Sequence, residues 1–347
     1  MAGKGRSAAI WQKSSWVSVP RTDRSFSCSP SSGSCARPPI DRIHSTGIAA
    51  NLNFETLLAA RKDQDFTPHL TPEAKRAHFE RCQRAIGAIA DVYKTAKPDV
   101  AVVIGNDQSE IFTDENIPAF SVFWGESIDN YPRTPEELAK LTPGIAPAEI
   151  GYKPLTRTSY ACDPALGKHI IGSLIDAGFD VGQSKRLPMG PRNSNSAPHA
   201  FGYVFRRVME DKPIPIVPVL VNTHYPPNRP KAARCFEFGR AVGRAIMSFP
   251  GDMRVAIIGS GGLTHYVIEE DFDRGVLAAM EADDDKAIAA IDDSLFASGG
   301  TAEIKNWIPV CGAMREAGLK MKVIDYVPCY RSPAGTGNAM AFAYWRA

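Results

Sequence analysis

Three short apolar runs constrain this chain more than any other feature: DVAVVI at 99–104, IPIVPVLV at 214–221 and VAII at 255–258. All are rich in β-branched side chains and of strand length, the makeup of strands buried on both faces. Apolar residues between and beyond them recur at helical spacing. The helices are expected over Asn51–Lys62, Thr71–Lys97, Asp163–Ala177, Ala200–Glu210 and Arg234–Phe249, then near 271–282, 285–297 and 302–317. Thr71-Pro72-Glu73 supplies an N-cap, an N1 proline and an acidic first turn, and Gly178 closes the helix that Asp163 caps. Further strands are expected at Ala119–Trp124 and Met321–Val327. Strands alternating with helices predict an α/β fold of three layers: a mostly parallel or mixed central sheet with helices on both faces.

The three runs end in polar or glycine-rich turns: Gly105-Asn106-Asp107-Gln108, Asn222-Thr223-His224-Tyr225, and Gly259 through His265. If the strands are parallel, these ends share one rim, where open α/β sheets bind their ligands. The third end is the richest. RVAIIGSGGLTHYVIEEDFDR, from Arg254, holds a glycine turn, His265, and then Glu269, Glu270 and Asp271. An imidazole and carboxylates at a strand end are material for a metal site or an acid–base site. No GxGxxG follows a first strand, and the Gly-rich stretch Ser332–Asn338 lacks the Lys-Ser/Thr of a phosphate loop.

His199 follows the loop Leu187–Pro198 at the head of a helix. The positive dipole end there lowers imidazole basicity and favours a neutral ring. Gln108, in an Asn-Asp-Gln run, suits either a site or a self-bonding turn. His224 is as suited to capping a strand as to chemistry, and Cys329 reads as a small buried hydrophobe. His69, His78 and His169 fall on helices or linkers and are given no role. Residues 130–160, rich in proline, read as a long surface excursion.

Charge excludes some partners. The chain carries +2, but residues 1–48 hold seven Lys/Arg against two acids, so the remainder carries −3 and has no basic patch for nucleic acid. No apolar run is long enough to span a membrane. Seven scattered cysteines without a CxxC pair point to a reducing, cytoplasmic compartment.

Residues 1–50 differ from the body, 51–347, which reads as a single domain. They are rich in Ser, Pro, Arg and Gly and show neither a helical nor a strand period. Three readings stand: a disordered tail, a transit peptide, and a shifted coding frame. Read one frame over from Trp11, with ordinary third-base choices, Trp11–Ile48 becomes AKVVVGLGASHGPQL and then a run ending HPFHWY. That supplies a buried strand, a glycine turn and a histidine.

Four segments in order, PDVAVVIGNDQSEIF, SAPHAFGYVFRR, SGGLTHYVIEEDFDR and AGTGNAMAFAYW, resemble the catalytic-subunit family of class III extradiol ring-cleavage dioxygenases. That group includes the protocatechuate 4,5-dioxygenase β subunit, and the resemblance runs from about Pro98 to Trp345. It implies one non-haem Fe(II) held by two histidines and a glutamate, with open positions for a catechol's two oxygens and for O2. Two further histidines would act as acid and base. By position these are His265, after the double glycine, and His199. Asn222, Gly262 and Thr264, on the same strand ends, are the expected substrate contacts. The second histidine ligand falls on Gln108, which offers only a neutral oxygen, and the glutamate falls on Asp271, with Glu270 as its substitute. The first histidine ligand belongs to an N-terminal strand and turn of Ser-His-x-Pro type. The written frame has only His44 nearby, whereas the shifted frame regenerates GASHGP.

The expected partners are a catechol-type aromatic and O2, with a homo-oligomer or a small second subunit as the assembly. Two rival functions remain open at the level of sequence. One is a non-catalytic relative that binds a small molecule or a protein, and the other a metal-dependent hydrolase on the same rim.

Overall fold

The structure is a computed structural model, and it describes residues 8–12, 54–141, 145–190, 195–296 and 299–347. The elements begin with β1 (Ala8–Gln12), α1 (Phe54–Ala60), α2 (Pro72–Ala96), β2 (Val100–Asn106), β3 (Phe120–Phe123), β4 (Ser127–Asn130), α3 (Pro135–Ala139) and α4 (Ile145–Ala148). There follow β5 (Thr158–Ala161), α5 (Pro164–Asp176), β6 (Gly182–Ser184), α6 (His199–Tyr203), β7 (Ile216–Val221), α7 (Ala232–Ser248) and β8 (Val255–Ser260). The chain closes with β9 (His265–Val267), α8 (Glu270–Glu281), α9 (Asp285–Ala289), α10 (Trp307–Ala317), β10 (Lys320–Tyr330) and β11 (Thr336–Arg346).

The main sheet runs β10-β11-β1-β8-β2-β7-β3-β6, with β9 on β11. It is mixed. β1, β8, β2 and β7 are parallel neighbours, while β11 runs antiparallel to β1, β9 and β10, and β3 antiparallel to β7. β2 lies between β7 and β8, and the registers Asn106↔Val221 and Ile104↔Gly259 bring their three carboxyl ends to one rim.

The strand residues alternate between two cores, as the pleat demands. Val100, Val102, Ile104, Val217, Val219, Val255 and Ile257 pack with residues of α5, α7, α8 and α10, including Leu166, Phe238, Phe272 and Trp307. Ala101, Val103, Ile216, Leu220, Ala256 and Ile258 pack with α2 and α6, through Cys82, Ile89 and Phe201. This is the expected three-layer α/β arrangement. Thr71 caps α2 by accepting from the Ala74 N–H, and Asp163 caps α5 through the N–H groups of Ala165 and Leu166.

Several expectations need correction. The end of the Gly-rich stretch and the aromatic end lie in the eleven-residue strand β11, because Thr336–Arg346 has β10 and β9 to pair with; no local pattern announces that. Ala8–Gln12 is a strand between β11 and β8, although it shows no period of its own. The remainder of residues 1–50, with His44 and the bulk of the shifted-frame segment, lies outside the described residues. The excursion at 130–160 is anchored rather than merely superficial. Lys153 is buried and donates to Asn130 Oδ1 at 3.0 Å, Ser196 Oγ at 2.8 Å and the Ala197 carbonyl at 3.1 Å. Buried Glu149 accepts from Arg133 and from the Tyr152 hydroxyl. Among the described residues no helix is long and apolar enough to cross a membrane.

Candidate functional site

At the end of β2 the Asp107 carboxylate accepts from three successive backbone N–H groups, those of Glu110 at 3.0 Å, Ile111 at 3.1 Å and Phe112 at 2.9 Å. That closes a tight turn from which Gln108 and Glu110 project. Burial, aided by the Glu110 charge, pushes the Asp107 carboxyl up to about 6 despite those bonds. At the end of β8, a Cβ on Gly261 would lie 2.8 Å from the Glu303 carbonyl oxygen and 2.9 Å from Asn306 Nδ2. Only glycine lets the 3-10 segment Gly299–Asn306 come so close. Asn306 Nδ2 then donates to Asn106 Oδ1 at 2.8 Å and to the Ser260 carbonyl at 2.7 Å, stapling that segment to both strand ends.

The staple delivers Glu303, which is buried. Its Oε1 accepts from Gln108 Nε2 at 2.8 Å, its Oε2 accepts from the Gly262 N–H at 2.7 Å, and Oε2 lies 3.6 Å from His265 Nε2. His265 Nδ1 sits 2.8 Å from the Leu263 carbonyl oxygen. A carbonyl can only accept, so Nδ1 carries a proton and donates. Beneath His265, Thr264 donates to Asp273 through its N–H at 3.0 Å and its hydroxyl at 2.6 Å, and the Tyr326 hydroxyl donates to Asp273 at 2.8 Å. Burial pushes the Asp273 carboxyl up to about 7.

His199 begins α6, which rests on the end of β2; a Cβ on Gly105 would lie 2.7 Å from Ala200 Cβ. Glu110 accepts from the His199 N–H with both oxygens at 3.1 Å, and Nδ1 lies 2.6 Å from Oε2. Burial opposes a charge on this ring, but the Glu110 charge and hydrogen bond outweigh it and hold His199 up at about 9. The expectation of a neutral His199 from the helix dipole is therefore overturned. A five-residue helix exerts a weak field, and a carboxylate at hydrogen-bond distance dominates it. His224 behaves oppositely. Burial, then the positive charges of His199, Arg229 and Lys305, push it down to about 4, and its Nδ1 lies 2.6 Å from Thr223 Oγ1.

Of the residues singled out from sequence, Gln108, Gly262 and His265 meet around Glu303, and His199 joins them through Glu110 on the turn that carries Gln108. The others are placed elsewhere. Asp271 is exposed on the first turn of α8. Glu270 accepts from the Tyr330 hydroxyl at 2.9 Å and from Arg274 at 3.0 Å. Neither acid lies beside Gln108; Glu303 does, because the staple through Asn306 carries it there. Asn222 spends its amide closing its own loop onto Tyr225 and Asn228, and Thr264 is turned inward onto Asp273. Cys329 is half-buried, its Sγ 3.9 Å from that of Cys82. Glu303 and Glu110 escaped the reading of the sequence. For Glu303 the available signal was one acid inside GGTAEIKNW, at the head of a predicted apolar helix.

The donor set does not fit Fe(II) held by two histidines and a glutamate. Both Glu303 oxygens accept from protein donors, and Gln108 presents its NH2 rather than its oxygen. Among the described residues no three His, Cys, Asp or Glu side chains are grouped to hold a metal ion.

Residues 68–338 match the family model described as the catalytic LigB subunit of aromatic ring-opening dioxygenase. The chain belongs to this family. Similar relatives include a gallate dioxygenase of Pseudomonas putida, 35% identical over 123 residues, which are 35% of this chain and 34% of that protein. The 2,3-dihydroxyphenylpropionate/2,3-dihydroxicinnamic acid 1,2-dioxygenase of Photorhabdus laumondii is 25% identical over 195 residues, 56% of this chain and 50% of that one. Its Comamonas testosteroni counterpart is 26% identical over 185 residues, 52% of this chain and 48% of that one. The chain thus spans a third to a half of the length of these relatives. In this LigB-family chain His199, His265 and Gln108 stand at one rim.

Proposed function

We propose that this chain is an aromatic ring-cleavage dioxygenase of the extradiol type, that its substrate is a catechol-type aromatic, and that the metal half of its site is weakened. The observation that carries the reading is the pair of histidines at one rim, His199 fixed by Glu110 and His265 beside Glu303. Glu110 favours the protonated form of His199, and in its Nδ1–H tautomer His265 would present Nε2 as a proton acceptor. A diol placed between them can lose a proton to His265 and be gripped by the imidazolium of His199. Membership of the ring-opening family and the dioxygenase names of the relatives support the reaction class. Fe(II) and O2 are the remaining reactants the reading requires.

Residues 51–347 act as one domain in this reading. The chain works in the cytoplasm, as a homo-oligomer or with a small second subunit, and light scattering of the purified chain tests the assembly.

A non-catalytic relative that only binds the aromatic is the second reading, and the amide of Gln108 facing Glu303 favours it. O2 consumption with a panel of catechols and added Fe(II) separates the two. Uptake matched to a yellow ring-cleavage product establishes the first reading. Catechol binding without uptake at any Fe(II) concentration establishes the second.

A further inference from the structure

We infer that the Gln108–Glu303 hydrogen bond stands in the place of a metal, and that residue 108 is what keeps this chain from holding a divalent cation tightly. The inference rests on the reading of this rim as the ring-cleavage site.

Glu303 is the carboxylate at the centre of the site, and both of its oxygens accept from the protein, Oε1 from Gln108 Nε2 at 2.8 Å and Oε2 from the Gly262 N–H at 2.7 Å. Facing a carboxylate, an amide must turn its NH2 forward. To ligate a cation, Gln108 would have to reverse, lose its bond to Glu303, and bring its own oxygen against the carboxylate. Even reversed, it offers a neutral oxygen where Fe(II) prefers imidazole.

No other described histidine is placed to replace it. The chain has seven. His69 and His78 stack on each other at 5.7 Å, away from the rim beside Tyr330. His169 is bonded to the Ala245 carbonyl and to Ser248. His199 is engaged by Glu110, His224 stands among the cations Arg229 and Lys305, and His265 lies on the other side of Glu303, its Nε2 3.6 Å from Oε2 where Gln108 bonds Oε1. Only His44 lies outside the described residues. Adding it would still leave one carboxylate, one amide and no second imidazole at the position of residue 108.

The test is anaerobic calorimetric titration of the full chain with Fe(II), and with Co(II) followed by its visible absorption, for wild type, Gln108→His and Gln108→Leu. Gln108→His should bind at least ~10-fold more tightly than wild type and raise the Co(II) absorption. Gln108→Leu should bind no more weakly than wild type. Stoichiometric binding by wild type at micromolar protein overturns the inference by itself, with no variant needed. So does a Gln108→Leu that loses binding, which would make the glutamine a ligand, or a folded Gln108→His that binds no better. O2 uptake with catechols by the Fe(II)-loaded Gln108→His variant is read on the same samples. Its absence would remove the ring-cleavage reading, whereas the metal isotherms bear on residue 108 alone.

Discussion

Glu110 Oε2 lies 2.6 Å from His199 Nδ1, and both Glu110 oxygens also accept from the His199 backbone N–H. One carboxylate thus fixes the position, orientation and charge of this histidine. Burial raises the Glu110 carboxyl, but the charge of His199 and their hydrogen bond outweigh it, and its pKa is lowered. The two partners shift in the directions of an ion pair.

The pair makes stability depend on pH. His199 sits at about 9 in the folded chain, against about 6.5 when unfolded. The folded state therefore binds this proton more tightly. The contribution is fully present below about pH 6.5 and is lost as pH rises through 9, about 3 kcal/mol in all. Urea unfolding between pH 6 and 10 should show the decline. Glu110→Gln should flatten it and lower the pH at which the His199 proton resonance titrates, because burial is then opposed only by the charges of Glu303 and Asp107.

His265→Ala should abolish O2 uptake, a loss of about 10²- to 10⁴-fold, while the circular dichroism of the fold stays unchanged. Retained uptake would take His265 out of the mechanism.

Glu303→Ala should destabilise the chain by about 2–4 kcal/mol. It strands the buried Gly262 N–H and the Gln108 amide, each costing about 1–3 kcal/mol when left without a partner. Denaturant midpoints measure this. Glu303→Gln, which can still accept from Gly262, should recover part of the loss.

Gly105→Ala should displace α6, because the new methyl would lie 2.7 Å from Ala200 Cβ, itself carried on a buried backbone. The expected cost is about 1–3 kcal/mol, accompanied by a lower His199 pKa as its contact with Glu110 lengthens. A shift of the melting midpoint without any change in the His199 titration would mean that α6 yields as a rigid body together with Glu110.

The parallel core was legible because it is locally encoded. DVAVVI, IPIVPVLV and VAII are buried on both faces and so need no partner to be recognised, and their ends carry visible glycines and polar residues. His199 and His265 were found for the same reason, each standing just past a turn or loop signal. Glu303 was not, since its position depends on Asn306 reaching Asn106, 200 residues away. The resemblance instead points to Asp271 and Glu270, which follow His265 closely along the chain.

Sequence by itself determined the layers, the common rim, the two histidines and the glutamine at 108, because strand burial, helix periodicity and turn chemistry are properties of short segments. Tertiary structure alone decided that β11 is a strand, that Glu303 rather than Asp271 or Glu270 faces Gln108, and that Glu110 raises the pKa of His199. Each of those depends on a hydrogen-bond partner supplied from a different part of the sheet or from a neighbouring turn. A pairing strand or a buried carboxylate acts through distance in space, which spacing along the chain does not encode.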